Sequence, residues 1–476
     1  MDNKLTKKFG LLTAICMVAG IVIGSGVFFK ATPVFANNNG NMLKSLLTVF
    51  IVGALMTICA YTFSILAGKY SKVNGIVDYA EATVGEFHAY TVGWFLSVIY
   101  YPVIASTLAW VSSNYTCSLF NIESANARLL ITATYLTLAF TLNVLSPKLA
   151  GKFQISTTVI KLIPLLIMAV VGTIVGLVNG QTLENLAFDT SSIVASTGGS
   201  GFMGAVVAFA FAYEGWIIAT CINAELHDAK KNLPKALIIG TLIVIGVYLA
   251  YFLGIGSVLS SEEIIAAGGD LPKIAFTKLF GGNAVFGTIA YVFIIISCLG
   301  TLNGVMVGAC RGLYSLAVRN QGPAPKALSE LNDKSNMPVK SSLIGYAISV
   351  VWMFQWEFGL IRGKLPAFIS FENDELPIIT LYAFYVPIFI NMMIKAKDLS
   401  PTKRFVFPAL SLAACGFMIY SAFAAYKIQA VYYLVVFAVI MLVGIPFYRD
   451  ENGVKLFDKL VSRVKEKLAE KESKDA

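Results

Sequence analysis

The sequence predicts an all-α membrane protein with 12 transmembrane helices, on three observations. Hydrophobic residues make up 57% of the 476-residue chain and charged residues only 13%, with a mean hydropathy of +0.74. A soluble protein carries about 25% charged residues, enough to cover its surface. Apolar stretches of about 20 residues, the thickness of a bilayer core, recur from end to end. The basic residues between them fall mainly on one side of the implied membrane, so the net charge of +9 reads as positive loops and not as a nucleic-acid surface.

Taken in order, the apolar runs lie at 10–36, 43–68, 87–116, 128–146, 154–178, 201–226, 235–258, 283–318, 341–358, 375–395, 404–424 and 429–448. The first follows the basic segment Met1 to Lys8 and is interrupted by glycines. Polar sequence without a small-residue cleavage site follows it, so it is expected to insert and stay. The eighth is longer than a perpendicular crossing needs and is expected to tilt or to project into the cytoplasm. With the N-terminus inside, 26 of the 36 Lys and Arg face the cytoplasm and 8 face outward. Both termini are therefore expected to be cytoplasmic. Segments 259–282 and 359–374 are too short for cores of their own, so the chain reads as one membrane domain over 1–448 with a basic tail at 449–476. In the tail Phe457, Leu460, Val461, Val464 and Leu468 share a helical face, which suits an interfacial helix as well as a solvated tail.

Several classes are excluded. With two histidines (His88, His227), seven scattered cysteines, no CxxC and no HExxH, neither a metal nor a cofactor is expected. Five cysteines lie inside apolar runs, which argues against a disulfide framework. Neither histidine lies deep in a span, so the nucleophile–base pair of a membrane-embedded enzyme is missing. No carbonyl filter sequence or acidic repeat marks a channel. Asn114-Tyr115-Thr116 matches a glycosylation sequon only by chance, at the end of an apolar run.

Two spans are predicted to break. In hydrocarbon every backbone N–H and C=O needs a partner, so a helix opens only where it lines a cavity or is buried in protein. The first span contains Gly20-Ile21-Val22-Ile23-Gly24-Ser25-Gly26-Val27-Phe28. The sixth contains Phe211-Ala212-Tyr213-Glu214-Gly215-Trp216, after the glycine-rich Gly198-Gly199-Ser200-Gly201. A single Gly-x-x-x-Gly usually serves close helix packing. Two breaks five spans apart, one beside a carboxylate, fit paired inverted repeats with discontinuous helices at equivalent positions, about 10–178 and 201–395, leaving extra helices at about 404–448. An opened helix offers N–H donors to a carboxylate and C=O acceptors to an ammonium, the two groups of an amino acid zwitterion.

Three intramembrane charges remain. Lys161 is expected to face the bundle interior, where it would tie span 1 to span 8 in place of a bound cation or act as a proton carrier. Glu214 reads as a proton or cation site or as a carboxylate capping the broken helix. Arg311 reads as a gate or anchor near the cytoplasmic end of span 8. Among the aromatics Tyr100, Tyr101, Trp110, Tyr213, Trp216, Tyr382, Phe384 and Tyr385, Tyr213 and Trp216 rank first as pocket walls because they flank the break.

These motifs are similar to those of amino acid–polyamine–organocation transporters. Gly24-Ser25-Gly26-Val27-Phe28 resembles their first-helix motif, and Phe211-Ala212-Tyr213-Glu214-Gly215-Trp216 resembles the sixth. Ala224-Glu225-Leu226-His227-Asp228-Ala229-Lys230-Lys231-Asn232-Leu233-Pro234 resembles the loop before helix seven, and Ser297 to Gly304 the eighth helix. The match is with the L-type branch, which includes bacterial serine/threonine and alanine/serine/cysteine exchangers. The resemblance implies a leucine-transporter-type 5+5 inverted repeat, alternating access, and sodium-independent exchange of neutral amino acids across a bacterial plasma membrane. Proton-coupled symport and exchange of cationic amino acids are its alternatives. By position, Ser25 and Gly26 would donate N–H groups to the substrate carboxylate. Carbonyls of Val22, Ile23, Phe211, Ala212 and Glu214 would receive its ammonium. Lys161 would occupy a sodium site with Ser297 or Thr301, and Tyr213 and Trp216 would shape and gate the side-chain pocket. Glu214 stands where relatives carry glycine or aspartate. Animal relatives join a glycoprotein through an outer-loop cysteine; Cys117 does not match that context, and no accessory subunit is expected.

Overall fold

A computed structural model of the chain describes residues 7, 9–24, 26–70, 75–187, 201–449 and 453–454. The basic tail, Gly198 to Ser200 and Ser25 lie outside the described residues. Among the described residues, twelve helices are long and apolar enough to cross a membrane: Leu11–Phe29, Met42–Ala67, Glu86–Phe120, Ala125–Leu145, Pro147–Val178, Gly201–Thr220, Ala229–Val258, Ala284–Ala317, Val339–Ile361, Leu376–Lys395, Thr402–Tyr426 and Ile428–Phe447, here spans 1 to 12.

Polar caps set several of these ends. The Asn41 side chain accepts from the Lys44 N–H at the start of span 2, Ser124 from Ala127 at span 4, and Asn283 from Val285 at span 8. Span 3 ends on Asn121 in the left-handed conformation that closes a helix. Spans 5 and 7 start at Pro147 and Ala229, not at the predicted 154 and 235. Hydropathy marks only the lipid-immersed part, whereas these helices run on through Lys148 and Lys152, and through Lys230 and Lys231, which suit a polar boundary. Pro147 also fits a first helical position, where no N–H partner is needed.

Span 8 is the spine of the bundle, packed against spans 3, 4, 5 and 9. The first half of span 1 is enclosed by spans 5, 7 and 8. Span 12 lies at the rim: Val435, Val439 and Leu442 are more than half exposed, on a surface that faces lipid.

Both predicted breaks are present. Span 1 is helical over Leu11–Val22, opens at Ile23 (φ −69°, ψ 98°) and resumes at Gly26–Phe29. Span 6 is helical over Gly201–Tyr213, turns at Gly215 with φ +103°, and continues as a 3₁₀-helix over Trp216–Glu225. Ten residues is a long 3₁₀ run, since its hydrogen bonds are poorer than those of an α-helix. An isolated parallel bridge pairs Phe9 with Leu226, so the chain entering span 1 is tied to the chain leaving span 6.

Candidate functional site

The two breaks face each other across a small central cavity. Ile21, Val22, Gly24 and Gly26 of span 1 form one wall, and Phe211, Glu214 and Gly215 of span 6 the other. Ile104 and Leu108 of span 3 and Thr301 and Val305 of span 8 complete it. Its volume is about 20 Å³, room for about one water. The breaks are this close because Gly26 lacks a side chain: a Cβ there would lie 2.5 Å from the Cα of Ala212.

Span 1 is held in its broken form by side chains from spans 5, 7 and 8. Lys161 is fully buried, and its ammonium donates to the carbonyl of Gly20 and, at 3.3 Å, to Oγ1 of Thr301. Thr301 lies within hydrogen-bond distance of the Ile23 carbonyl, also at 3.3 Å. Lys161 therefore does join spans 1 and 8. Ser297 is buried, but its hydroxyl makes no hydrogen bond among the described residues, so Thr301 is the partner the structure brings to Lys161.

Tyr248 of span 7 was not legible as a site residue. Its hydroxyl lies 2.8 Å from the Val22 carbonyl and 2.9 Å from that of Ala212, bridging both breaks. These are two of the carbonyls expected to receive an ammonium. A carbonyl has two lone pairs, so each retains a second acceptor site. Nothing in the apolar sequence around Tyr248 distinguishes it from a packing tyrosine; only the path of span 7 past both breaks does so.

Glu214 lines the cavity, and its carboxylate accepts the hydroxyl of Tyr100. The predicted neighbours Tyr213 and Trp216 do not line it. Tyr213 points toward span 2, its hydroxyl against Gly53 and its ring 5.0 Å from that of Tyr248. Trp216 is fully buried against Phe63 and Tyr385. Three residues per turn turns Trp216 away from the face that Glu214 presents. The apolar walls come instead from Phe211, Ile104, Leu108 and Val305. Ser25 lies outside the described residues.

Buried ion pairs lie on both sides of the cavity. On the N-terminal side Arg311 pairs with Glu225 at the end of the 3₁₀ segment. On the opposite side Lys30 pairs with Asp374 and Glu375. Between Arg311 and the cavity, Asn143, Asn303 and Gln154 form a polar network linking spans 4, 8 and 5.

Comparison with known proteins gives the following. Residues 9–447 match the family model described as amino acid permease. A serine/threonine exchanger of Bacillus subtilis is 30% identical over 404 residues, covering 85% of this chain and 86% of that one. The human cystine/glutamate transporter is 25% identical over 78% of this chain and 72% of its own length. The human b(0,+)-type amino acid transporter 1 is 24% identical over 89% of each chain.

Proposed function

The chain belongs to the amino acid permease family, and from that premise we propose that it exchanges neutral amino acids by alternating access, without sodium. The observation that carries this reading is the pair of helix breaks on one cavity. The second half of span 1 begins at Gly26 with N–H groups that have no partner within the helix, suited to a carboxylate. The carbonyls of Val22 and Ala212 sit close by, under one tyrosine hydroxyl, suited to an ammonium. Phe211, Ile104, Leu108 and Val305 give the cavity an apolar wall suited to a neutral side chain. Lys161 places its side-chain nitrogen on the opened helix where a coupling cation would otherwise stabilise it, which favours exchange over sodium symport.

In this reading spans 1–5 and 6–10 form the two inverted repeats, with spans 11 and 12 outside them. Both termini are cytoplasmic and the membrane is a bacterial plasma membrane, in keeping with the charge bias and the Bacillus relative. The protein works without an accessory subunit; Cys117, 6% exposed, is a poor candidate for an intermolecular link. The carboxylate of Glu214 at the cavity supports a second substrate class, cationic amino acids, whose side-chain charge it would meet.

The test uses purified protein in liposomes with labelled serine, alanine, leucine, arginine and glutamate, without sodium. Uptake of serine or another neutral label into vesicles loaded with the same amino acid, and not into empty ones, is expected. Preferential arginine uptake would establish the second class. Uptake into empty vesicles driven by an imposed proton gradient would replace exchange with symport.

A further inference from the structure

A second cavity, of about 470 Å³, lies between spans 10, 11 and 12, away from the helix breaks. Ala383, Ala422 and Ala430, one from each span, face it, so the three spans leave a gap that their own side chains do not fill. The wall is otherwise apolar apart from two pairs. Thr380 donates to the hydroxyl of Tyr433 at 2.8 Å, and His88 at the start of span 3 lies with Nε2 3.2 Å from the carbonyl of Phe384. The polar groups of the wall are thus occupied with each other, and what the gap offers a ligand is hydrocarbon. Its mouth faces lipid: Phe423 and Leu434 at the rim are 46% and 38% exposed, and Ala383 is exposed as well.

The dimensions select the occupant. Along span 10 the groove runs from Leu376, the first residue of the helix, to Pro387, a rise of about 16 Å. The hydrocarbon of one leaflet is about 15 Å deep, half of the bilayer core. Spread over that length, the volume leaves a mean cross-section of about 30 Å², too narrow for a helix about 10 Å across and wide enough for one hydrocarbon chain. An unfilled gap would forfeit the dispersion contacts of its walls, which an acyl chain from the surrounding bilayer restores.

The head of the groove carries a charge. Lys427 is exposed in the turn between spans 11 and 12, about one helical turn from Ala430. Its neighbour Tyr426 donates to Glu375, which places this turn at the same end as the entry to span 10. Glu375 is buried and held by Lys30 and Tyr426, whereas Lys427 has no carboxylate within ion-pair distance among the described residues. A free ammonium at the membrane boundary attracts a lipid phosphate. We propose that this groove is a phospholipid site of the leaflet opposite the N-terminus: one acyl chain lies along spans 10, 11 and 12 and ends beside Phe384 and His88, and the phosphate rests on Lys427. The chain takes the place that side chains fill in a soluble core and joins span 12, at the rim of the bundle, to span 10. The site depends on the placement of the spans in a membrane and not on amino acid transport.

The experiment titrates the full chain, purified in detergent, with phosphatidylglycerol carrying a diazirine in one acyl chain, and maps the adducts by mass spectrometry after irradiation. Adducts are expected to concentrate on 376–387 and 430–437 and to saturate, at least about fivefold above those on 130–138, a lipid-facing stretch of span 4 where Leu130 and Leu138 are 69% and 59% exposed. Ala383→Trp, which fills the groove from its exposed wall, is expected to abolish the groove adducts. Lys427→Gln is expected to weaken the half-saturating concentration about fivefold, and diacylglycerol with the same diazirine chain, which lacks the phosphate, to label the unmodified protein as weakly. Adducts that spread evenly over both stretches and never saturate would show surrounding lipid only and overturn the site. Unaltered groove labelling in Ala383→Trp would do the same. Equal labelling by diacylglycerol, with Lys427→Gln unchanged, would overturn the phospholipid assignment. An unlabelled groove in a species of twice the chain mass would hand the surface to a second copy of the chain. If Ala383→Trp does not fold, Lys427→Gln in the exposed turn still decides. None of these readings uses substrate, so a failure of amino acid uptake in liposomes is separate from a failure of the lipid site.

Discussion

Lys161 and Glu214 are both ionisable and buried at mid-membrane, yet their surroundings give them different work. Lys161 donates to a backbone carbonyl in the last turn before the break in span 1 and to a hydroxyl on span 8, so its charge is spent on holding the opened helix. Glu214 has one tyrosine hydroxyl on its carboxylate and a face on the cavity, so it remains available to solute. Hydrogen bonds to charged groups are worth about 1.5–3 kcal/mol each. Lys161→Met is therefore expected to lower exchange in liposomes by about ten- to a hundredfold while the protein still elutes as a folded species. Lys161→Arg should not restore it, because a planar guanidinium does not occupy the place of a compact ammonium. The types and positions of these two residues were legible in the sequence, since a charge in an apolar run demands a partner. Their partners were only half legible. Thr301 was named with Ser297 as alternatives, and Tyr100 stood among eight aromatics with no way to rank it first.

Among the elements, the 3₁₀ half of span 6 departs furthest from ordinary helix geometry. It follows Gly215, whose φ of +103° is open to glycine and strained for any other residue. A Cβ at this position would also lie 2.6 Å from Cγ2 of Ile21 across the cavity wall. Gly215→Ala is therefore expected to cost about 1–3 kcal/mol, read as a lower thermal midpoint in detergent, and to reduce exchange. Gly246→Ala in span 7, where an added carbon meets nothing within 4 Å, is the matched control and should be neutral or slightly stabilising. The breaks were legible because glycine beside serine or glutamate is a poor mid-membrane helix. The conformation beyond the second break was not: Trp216 to Glu225 reads as plain apolar helix, and only its packing against spans 1, 7 and 8 fixes its course. That difference moved Trp216 off the pocket wall, whereas Tyr213, the last residue of the α-helix before the break, turns toward span 2.

At the scale of the whole molecule, buried ion pairs lie on both sides of the cavity, Arg311 with Glu225 on one and Lys30 with Asp374 and Glu375 on the other. Arg311 and Glu225 are 6% and 1% exposed at their side chains. Removing one partner of such a pair leaves the other charge buried, at about 3–5 kcal/mol. Arg311→Met is expected to lower the thermal midpoint accordingly, and adding Glu225→Gln to it should recover much of the loss. If the double variant is no more stable than the single one, the cost lies in the packing of Arg311 and not in the stranded charge.

The sequence by itself determined the membrane class, the number of spans, the sites of the two breaks and the buried lysine that joins spans 1 and 8. Each of these follows from a local physical rule: bilayer thickness sets the length of an apolar run, and hydrocarbon does not tolerate an open backbone or a lone charge without cause. Only the tertiary structure decided what meets at the breaks. Tyr248 lies 226 residues from Val22, and Lys30 lies 345 residues from Glu375. In a membrane the apolar pattern is nearly the same on the lipid and protein faces of a span, because lipid chains are as apolar as leucine. Periodicity that would reveal the inward face of a soluble helix is therefore weak here, and which tyrosine, lysine or glutamate meets which is settled by the packing of the spans.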